Sequence, residues 1–240
     1  MTAAQSIDSQ KLFYNTRWQE FSFINGLKLR RCVAILDAIA AAGLTRPEIV
    51  DLGCGAGWLI AILGTIGPSL GVDLSPTAIA QAARRYTHVN FAQADICDWD
   101  YPTQSCDLVV SHEVLEHVES PATHLNIAHG LLRTNGFLVL TTPNKPVVES
   151  AFKNGADMGG LQPIENWVSV AQLRSLLVRH FEIVRLTTVI PGFDRRRWYR
   201  VLNSTRLRRL LGIARARSML DGIALGLRTG LHILAVAKKV

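Results

Sequence analysis

The hydrophobic positions of this 240-residue chain fall into short runs divided by glycine, proline and polar residues. Ile49, Val50 and Leu52 form a compact apolar run that reads as a buried parallel strand. An apolar helical segment from Trp58 to Ile66 follows, then a second short strand at Leu70 and Val72. Ser75-Pro76 supplies an N-cap and a first-turn proline for a helix over 77–86, with Ile79, Ala82 and Ala83 facing inward. Residues 89–94 alternate as a strand, and Leu108-Val109-Val110 is a continuous apolar run, hence a buried one. Ser120-Pro121 opens another helix, which Asn135-Gly136 stops, and residues 137–140 read as a further buried strand. Residues 145–167 bear glycines and read as an irregular loop over the strand ends. Ser169 and Gln172 match a capping box before a helix over 171–179, and residues 181–186 and 232–237 read as the last two strands. Upstream, helices are expected over 9–21 and 27–42, the second with Leu29, Val33, Leu36, Ile39 and Ala40 as its apolar positions. Strands alternating with helices predict an α/β fold around a doubly wound, mostly parallel sheet.

Composition sharpens this picture in two places. Nearly half the residues are hydrophobic, enough for one sizeable core, so a single α/β domain with attachments is expected. The net charge of +7 is unevenly placed: from 195 to 228 there are ten arginines and one acid, a local charge of +9, which leaves −2 for the rest. The excess positive charge of the protein lies in that one segment. Its leucines (Leu202, Leu207, Leu210 and Leu211) recur at helical spacing, so the segment reads as an amphipathic basic insertion. A solvated helical face, a lid over an acidic acceptor and a membrane-surface patch all fit that pattern. The apolar tail from Met219 to Ala237 is broken by Asp221 and Arg228, so no membrane span is expected, and the N-terminal residues show no signal core. Cys32, Cys54, Cys97 and Cys106 lack paired spacing and read as reduced thiols of a cytoplasmic protein.

The candidate chemistry begins directly after the first strand, in the pattern Asp51-Leu-Gly53-Cys54-Gly55-Ala-Gly57. Glycines there permit a tight turn and let backbone N–H groups approach a ligand. Asp73 follows at the end of the second strand, where a carboxylate can take the two hydroxyls of a ribose. A dinucleotide fingerprint would place its third glycine at 58, which is Trp, and no Tyr-x-x-x-Lys pair is evident, which disfavours a nicotinamide-dependent oxidoreductase. A non-catalytic cofactor-binding module would keep the same glycines. In order, Asp51–Gly57, Asp73-Leu74-Ser75, Ala94-Asp95-Ile96, residues 106–111 and residues 131–138 resemble the successive motifs of the class I S-adenosylmethionine-dependent methyltransferases, across roughly residues 48–145.

That resemblance, nearest to small-molecule O-methyltransferases of the ubiquinone-biosynthesis type, carries definite implications. The fold would be Rossmann-like, with a seven-stranded sheet whose last strand is antiparallel. Residues 1–44 would form a helical cover in which Tyr14, Arg17 and Trp18 can meet ligand. Residues 45–240 would form the methyltransferase domain, including the basic insertion at 191–231, where the family needs only a short turn. The cofactor would be S-adenosylmethionine. Asp51, Gly53, Cys54, Gly55 and Gly57 would border its amino-acid part; Asp73 and Leu74 would take ribose and adenine; Asp95 and Ile96 would meet the adenine edge and face; and Ser111 and His112 would lie near the sulfonium. His117 resembles the general base of O-directed enzymes. Glu113, Glu116 and His117 also resemble the metal-holding E-x-x-E-H of RNA 2′-O-methyltransferases, but a further histidine is needed there and the matching region reads Ile164-Glu165-Asn166-Trp167, so no metal is assigned. His124 and His129 read as surface residues. The acceptor is expected to be a small molecule, a lipid-like precursor or a glycan, acidic if the arginines contact it; nucleic acid is not expected.

Overall fold

In the computed structural model, which describes residues 7–19, 24–155, 162–191 and 228–240 together with scattered positions from 204 to 226, seven strands form one sheet. The strands are β1 (Ile49–Leu52), β2 (Ser69–Asp73), β3 (Asn90–Gln93), β4 (Cys106–His112), β5 (Leu132–Pro143), β6 (Phe181–Pro191) and β7 (Gly230–Lys239). Their order is β3-β2-β1-β4-β5-β7-β6. β1 to β5 pair in parallel, whereas β7 runs antiparallel to both β5 and β6. The order reverses between β1 and β4, and ligands of such sheets bind at that switch point, beyond the carboxyl ends of the strands.

Period-2 alternation divides the sheet's side chains between two cores. On one face Val50, Leu52, Val109, Leu138, Leu140 and Ile233 pack against α5 (Pro121–Leu131) and α7 (Val170–Leu177). On the other, Ile49, Leu108, Val110, Val139 and Leu234 pack against α2 (Gly26–Ala41) and α3 (Trp58–Leu63). The helix starts follow their caps. Ser75, Ser120 and Ser169 each accept from a backbone N–H, and Gln172 closes the capping box on Ser169. α1 (Ile7–Gln19) lies on α4 (Pro76–Arg85): Ser75 Oγ donates to Asn15 Oδ1 at 2.6 Å, and the Gln81 amide to the Trp18 carbonyl at 2.7 Å.

Several expectations are corrected. The inner face of α2 is Arg31, Cys32, Ile35, Ala38 and Ile39, while Leu29 and Val33 are exposed. α4 buries Ala78 and Ala82, and Ala83 faces solvent; a Cβ on Gly57 would lie 2.8 Å from the Ala82 methyl, so the two elements meet closely there. α3 ends at Leu63 rather than Ile66. The helix after Pro121 ends at Leu131, and Asn135-Gly136 instead lies within β5, at an irregularity in its pairing with β4, with Asn135 at φ 67. The expected loop at 145–167 begins as a helix, α6 (Lys145–Lys153), which buries only Val148 and Ala151. His124 is fully buried, not a surface residue. Most of the basic insertion lies outside the described residues; Arg206, Arg209 and Arg215, which are described, are exposed. No helix among the described residues is long and apolar enough to cross a membrane.

Candidate active site

The glycine turn after β1 is held in a conformation that L side chains rarely adopt, with φ of 77 at Gly53, 53 at Gly55 and 78 at Gly57. Space enforces the same choice. A Cβ on Gly53 would collide with a Val114 methyl, and one on Gly55 would lie 2.5 Å from the Trp18 ring. Asp73 fastens the turn from the end of β2: its Oδ2 accepts the Gly55 N–H at 2.8 Å and its Oδ1 the Ser75 N–H at 2.9 Å. Burial raises the Asp73 pKa and these bonds oppose the rise. Asp51, inside β1, is buried with its Oδ1 unpartnered among the described residues, and burial, aided by the Asp73 charge, pushes its pKa up to about 8.

These groups line a cavity of about 610 Å³ at the carboxyl ends of the strands. Asp51, Gly53, Cys54, Gly55, Asp73, Leu74, Asp95, Ile96, His112 and His117 all reach it, as do Tyr14, Arg17 and Trp18 of α1. Gly57 and Ser111 do not. Gly57 starts α3 and faces Ala82 and Phe91, while the buried Ser111 hydroxyl meets His124 Nε2 at 2.9 Å. Asp95 accepts the Cys97 N–H at the start of a 3₁₀ turn, and the buried Cys54 thiol is pushed far up, so it is inert.

The acid–histidine stretch after β4 spreads out rather than converging. His112 Nδ1 lies 2.8 Å from Thr141 Oγ1 with its ring edge-on to Trp58, and burial lowers its pKa to about 3. Glu116 is buried, accepts the Thr142 hydroxyl at 2.9 Å and has its pKa pushed well up by burial. His117 Nδ1 donates to the Ile164 carbonyl at 2.9 Å, so the lone pair sits on Nε2, which the Gln162 amide meets at 2.7 Å. Burial lowers the His117 pKa, which keeps the ring neutral. Glu113, at φ 59, turns elsewhere: its Oε2 lies 2.8 Å from His232 Nδ1 and 3.8 Å from Arg31 Nη1. Burial opposes that charge, but His232 and Arg31 hold the carboxyl well below its usual range.

Arg31, His232, Lys28 and Gln162 were missed by sequence reasoning. Arg31 left a trace, as a cation at the helical spacing of Cys32, Ile35 and Ala38. His232 merely begins an apolar strand and left none.

Residues 50–140 match the family model described as a methyltransferase domain. Those residues thus carry a methyltransferase domain of the S-adenosylmethionine-dependent class I kind. Its core is 30% identical over 102 residues to a probable S-adenosylmethionine-dependent methyltransferase of Mycobacterium tuberculosis, covering 42% of this chain and 37% of that protein. It is 29% identical over 150 residues to a malonyl-[acyl-carrier protein] O-methyltransferase of a Paenibacillus species, covering 57% and 54%. The matched stretches thus span roughly a third to a half of these relatives. The N-methyltransferase NodS of Bradyrhizobium japonicum, solved with S-adenosyl-L-homocysteine, shares the fold at a TM-score of 0.60 and 18% identity, over 98% of this chain and 97% of that one. In this methyltransferase domain the motif-bearing strands β1, β2 and β4 border the cavity described above.

Proposed function

We propose that the protein transfers a methyl group from S-adenosylmethionine to an oxygen of a small-molecule, lipid-like or glycan acceptor, with His117 as general base. The observation that carries this reading is that the glycine turn with Asp73 and a neutral, tautomer-fixed histidine open into one cavity.

The residues present fit the cofactor. A Cβ on Gly53 or Gly55 would displace Val114 or Trp18, which line the cavity, and the orphaned Asp51 Oδ1 suits the cofactor's ammonium. Asp73 and Leu74 would hold ribose and adenine, Asp95 and Ile96 the far edge of the base, and the backbone at His112 the neighbourhood of the reacting carbon. When bound, S-adenosylmethionine supplies a methyl group already activated by its sulfonium.

The chain's own contribution is then alignment, exclusion of water and removal of one proton. The Ile164 carbonyl fixes the proton of His117 on Nδ1 and leaves Nε2 as the acceptor. An acceptor hydroxyl would take the place of the Gln162 amide at Nε2. Base catalysis of this kind is worth about 10²–10⁴-fold. Accordingly His117→Gln should lower kcat by about 10²-fold or more while affinity for S-adenosylhomocysteine changes less than about threefold. Unchanged kcat in that variant, with methyl transfer detected, would remove His117 from the chemistry.

A further inference from the structure

At the end of the cavity away from Asp73 and Asp95, one guanidinium is held by Glu113 and His232 and keeps one donor, Nε, without a partner among the described residues. Arg31 is 9% exposed, yet it projects from a helix whose buried face is otherwise Cys32, Ile35, Ala38 and Ile39. Its Nη1 donates to His232 Nε2 at 3.1 Å, and His232 Nδ1 in turn faces Glu113 Oε2 at 2.8 Å. Nε of the same guanidinium is buried and has no hydrogen-bond partner among the described residues. An unmet charged donor in a buried place is costly, and a fixed arginine fork matches a carboxylate.

The position of this group sets it apart from the end assigned to ribose and adenine. Asp51, Asp73 and Asp95 belong to β1, β2 and the turn after β3. Glu113 follows β4 and His232 lies on β7, opposite Pro143 of β5 and Val189 of β6. α2, which carries Arg31, packs on β5, β6 and β7. Arg31 therefore belongs to the β4–β5–β7 half of the crevice.

Charge points the same way. Lys28 and Arg17 line the same cavity as Arg31. Burial first, then Arg31 and Arg17, lower the Lys28 pKa to about 8. An anion in the cavity would relieve that repulsion.

We propose that Arg31, oriented by Glu113 and His232, recognises a carboxylate carried by the methyl acceptor. The acceptor would then be a small carboxylate-bearing molecule whose reacting oxygen reaches His117 while its carboxylate rests on Arg31. This rests on the methyltransferase reading, and the cofactor's own carboxylate is the rival source of the same chemistry.

The test is calorimetry on the protein loaded with S-adenosylhomocysteine, with benzoate, acetate and malonate as probes and benzamide as the uncharged control. At least one carboxylate should bind saturably, with benzamide at least about tenfold weaker than benzoate if benzoate is the one bound. Arg31→Gln should weaken carboxylate binding about tenfold or more, and Arg31→Lys should weaken it less, because the charge stays and the fork is lost. Both variants should keep S-adenosylhomocysteine affinity within about threefold. No saturable carboxylate binding to the unmutated protein, or equal binding of benzoate and benzamide, overturns the proposal without depending on how the variants fold. So does a tenfold loss of S-adenosylhomocysteine affinity in Arg31→Gln with 5′-methylthioadenosine binding unchanged, which would assign Arg31 to the cofactor's carboxylate. If S-adenosylhomocysteine itself fails to bind the unmutated protein, the cofactor reading fails, and Arg31-dependent binding of the probes to the free protein still decides this one.

Discussion

At the scale of single residues, the site stores free energy in groups that burial has displaced from their ordinary charge states. Asp51 is the clearest case: its carboxyl remains protonated to about pH 8 in the folded chain against a reference value of 3.8. Between roughly pH 4 and pH 8 the folded state therefore holds a proton that the unfolded state has lost. Stability falls as pH rises through that window and levels off above it, and Asp73 and Glu116, also raised, add to the same trend. Asp51→Asn keeps the shape and removes the titration. The free protein carrying it should melt higher at pH 8 than the parent, by about 2–4 °C per kcal/mol recovered, and should lose less stability from pH 5 to 8. The same change should weaken S-adenosylhomocysteine, whose ammonium loses its counter-charge. Scanning calorimetry across that pH range checks the first part; a lower melting temperature at pH 8 with the slope unchanged would contradict it.

At the scale of elements, the ends of helices and strands are fixed by a few buried polar bonds. Lys239, at the end of β7 and 9% exposed, places Nζ 2.8 Å from the His129 carbonyl and 2.7 Å from that of Leu132. It thereby closes the carboxyl end of α5, where a cation also suits the helix dipole. Lys239→Met should cost about 1–3 kcal/mol, since buried carbonyls lose their donor, and urea denaturation should register it with an unchanged m-value. A midpoint equal to that of the parent would show that water replaces the ammonium. How much was legible from the chain alone follows the same division. The strands and the serine caps were readable because each rests on neighbours in sequence: Val109 between two oppositely facing residues, or Ser169 with Gln172. α6 was not, because two buried positions make no period. Nor was the burial of His124, which rests on Ser111, supplied by β4. Arg31 and His232 stand 201 positions apart, and only the insertion of β7 between β5 and β6 brings them together.

At the scale of the whole molecule, a slightly acidic body carries one strongly basic segment between its last two strands. β6 and β7 lie on the flank of the sheet away from β2 and β3, so the segment's two ends leave and rejoin the fold on the side we assign to the acceptor. We therefore propose the segment as a basic cover on that side, acting with Arg31 on an acidic or amphiphilic acceptor. Replacing Arg195, Arg196 and Arg197 together with Ser should raise the acceptor KM several-fold, reduce the salt dependence of KM, and leave cofactor affinity within about twofold. Acceptor KM, its salt dependence and liposome association all unchanged would reduce the segment to a solvated surface.

The central claim, that the crevice at β1, β2 and β4 is an S-adenosylmethionine site, is tested most directly by calorimetric titration of the purified protein with S-adenosylhomocysteine and, separately, with NAD. Asp73→Asn serves as the internal control because it keeps the size of a group that also fastens Gly55 and Ser75. The account predicts one saturable site for S-adenosylhomocysteine, none for NAD, and an affinity about 10- to 100-fold lower in Asp73→Asn, matching the loss of charge-assisted bonds to two hydroxyls at about 1.5–3 kcal/mol. Binding of NAD in preference to S-adenosylhomocysteine, or an undiminished S-adenosylhomocysteine affinity in Asp73→Asn, would contradict it.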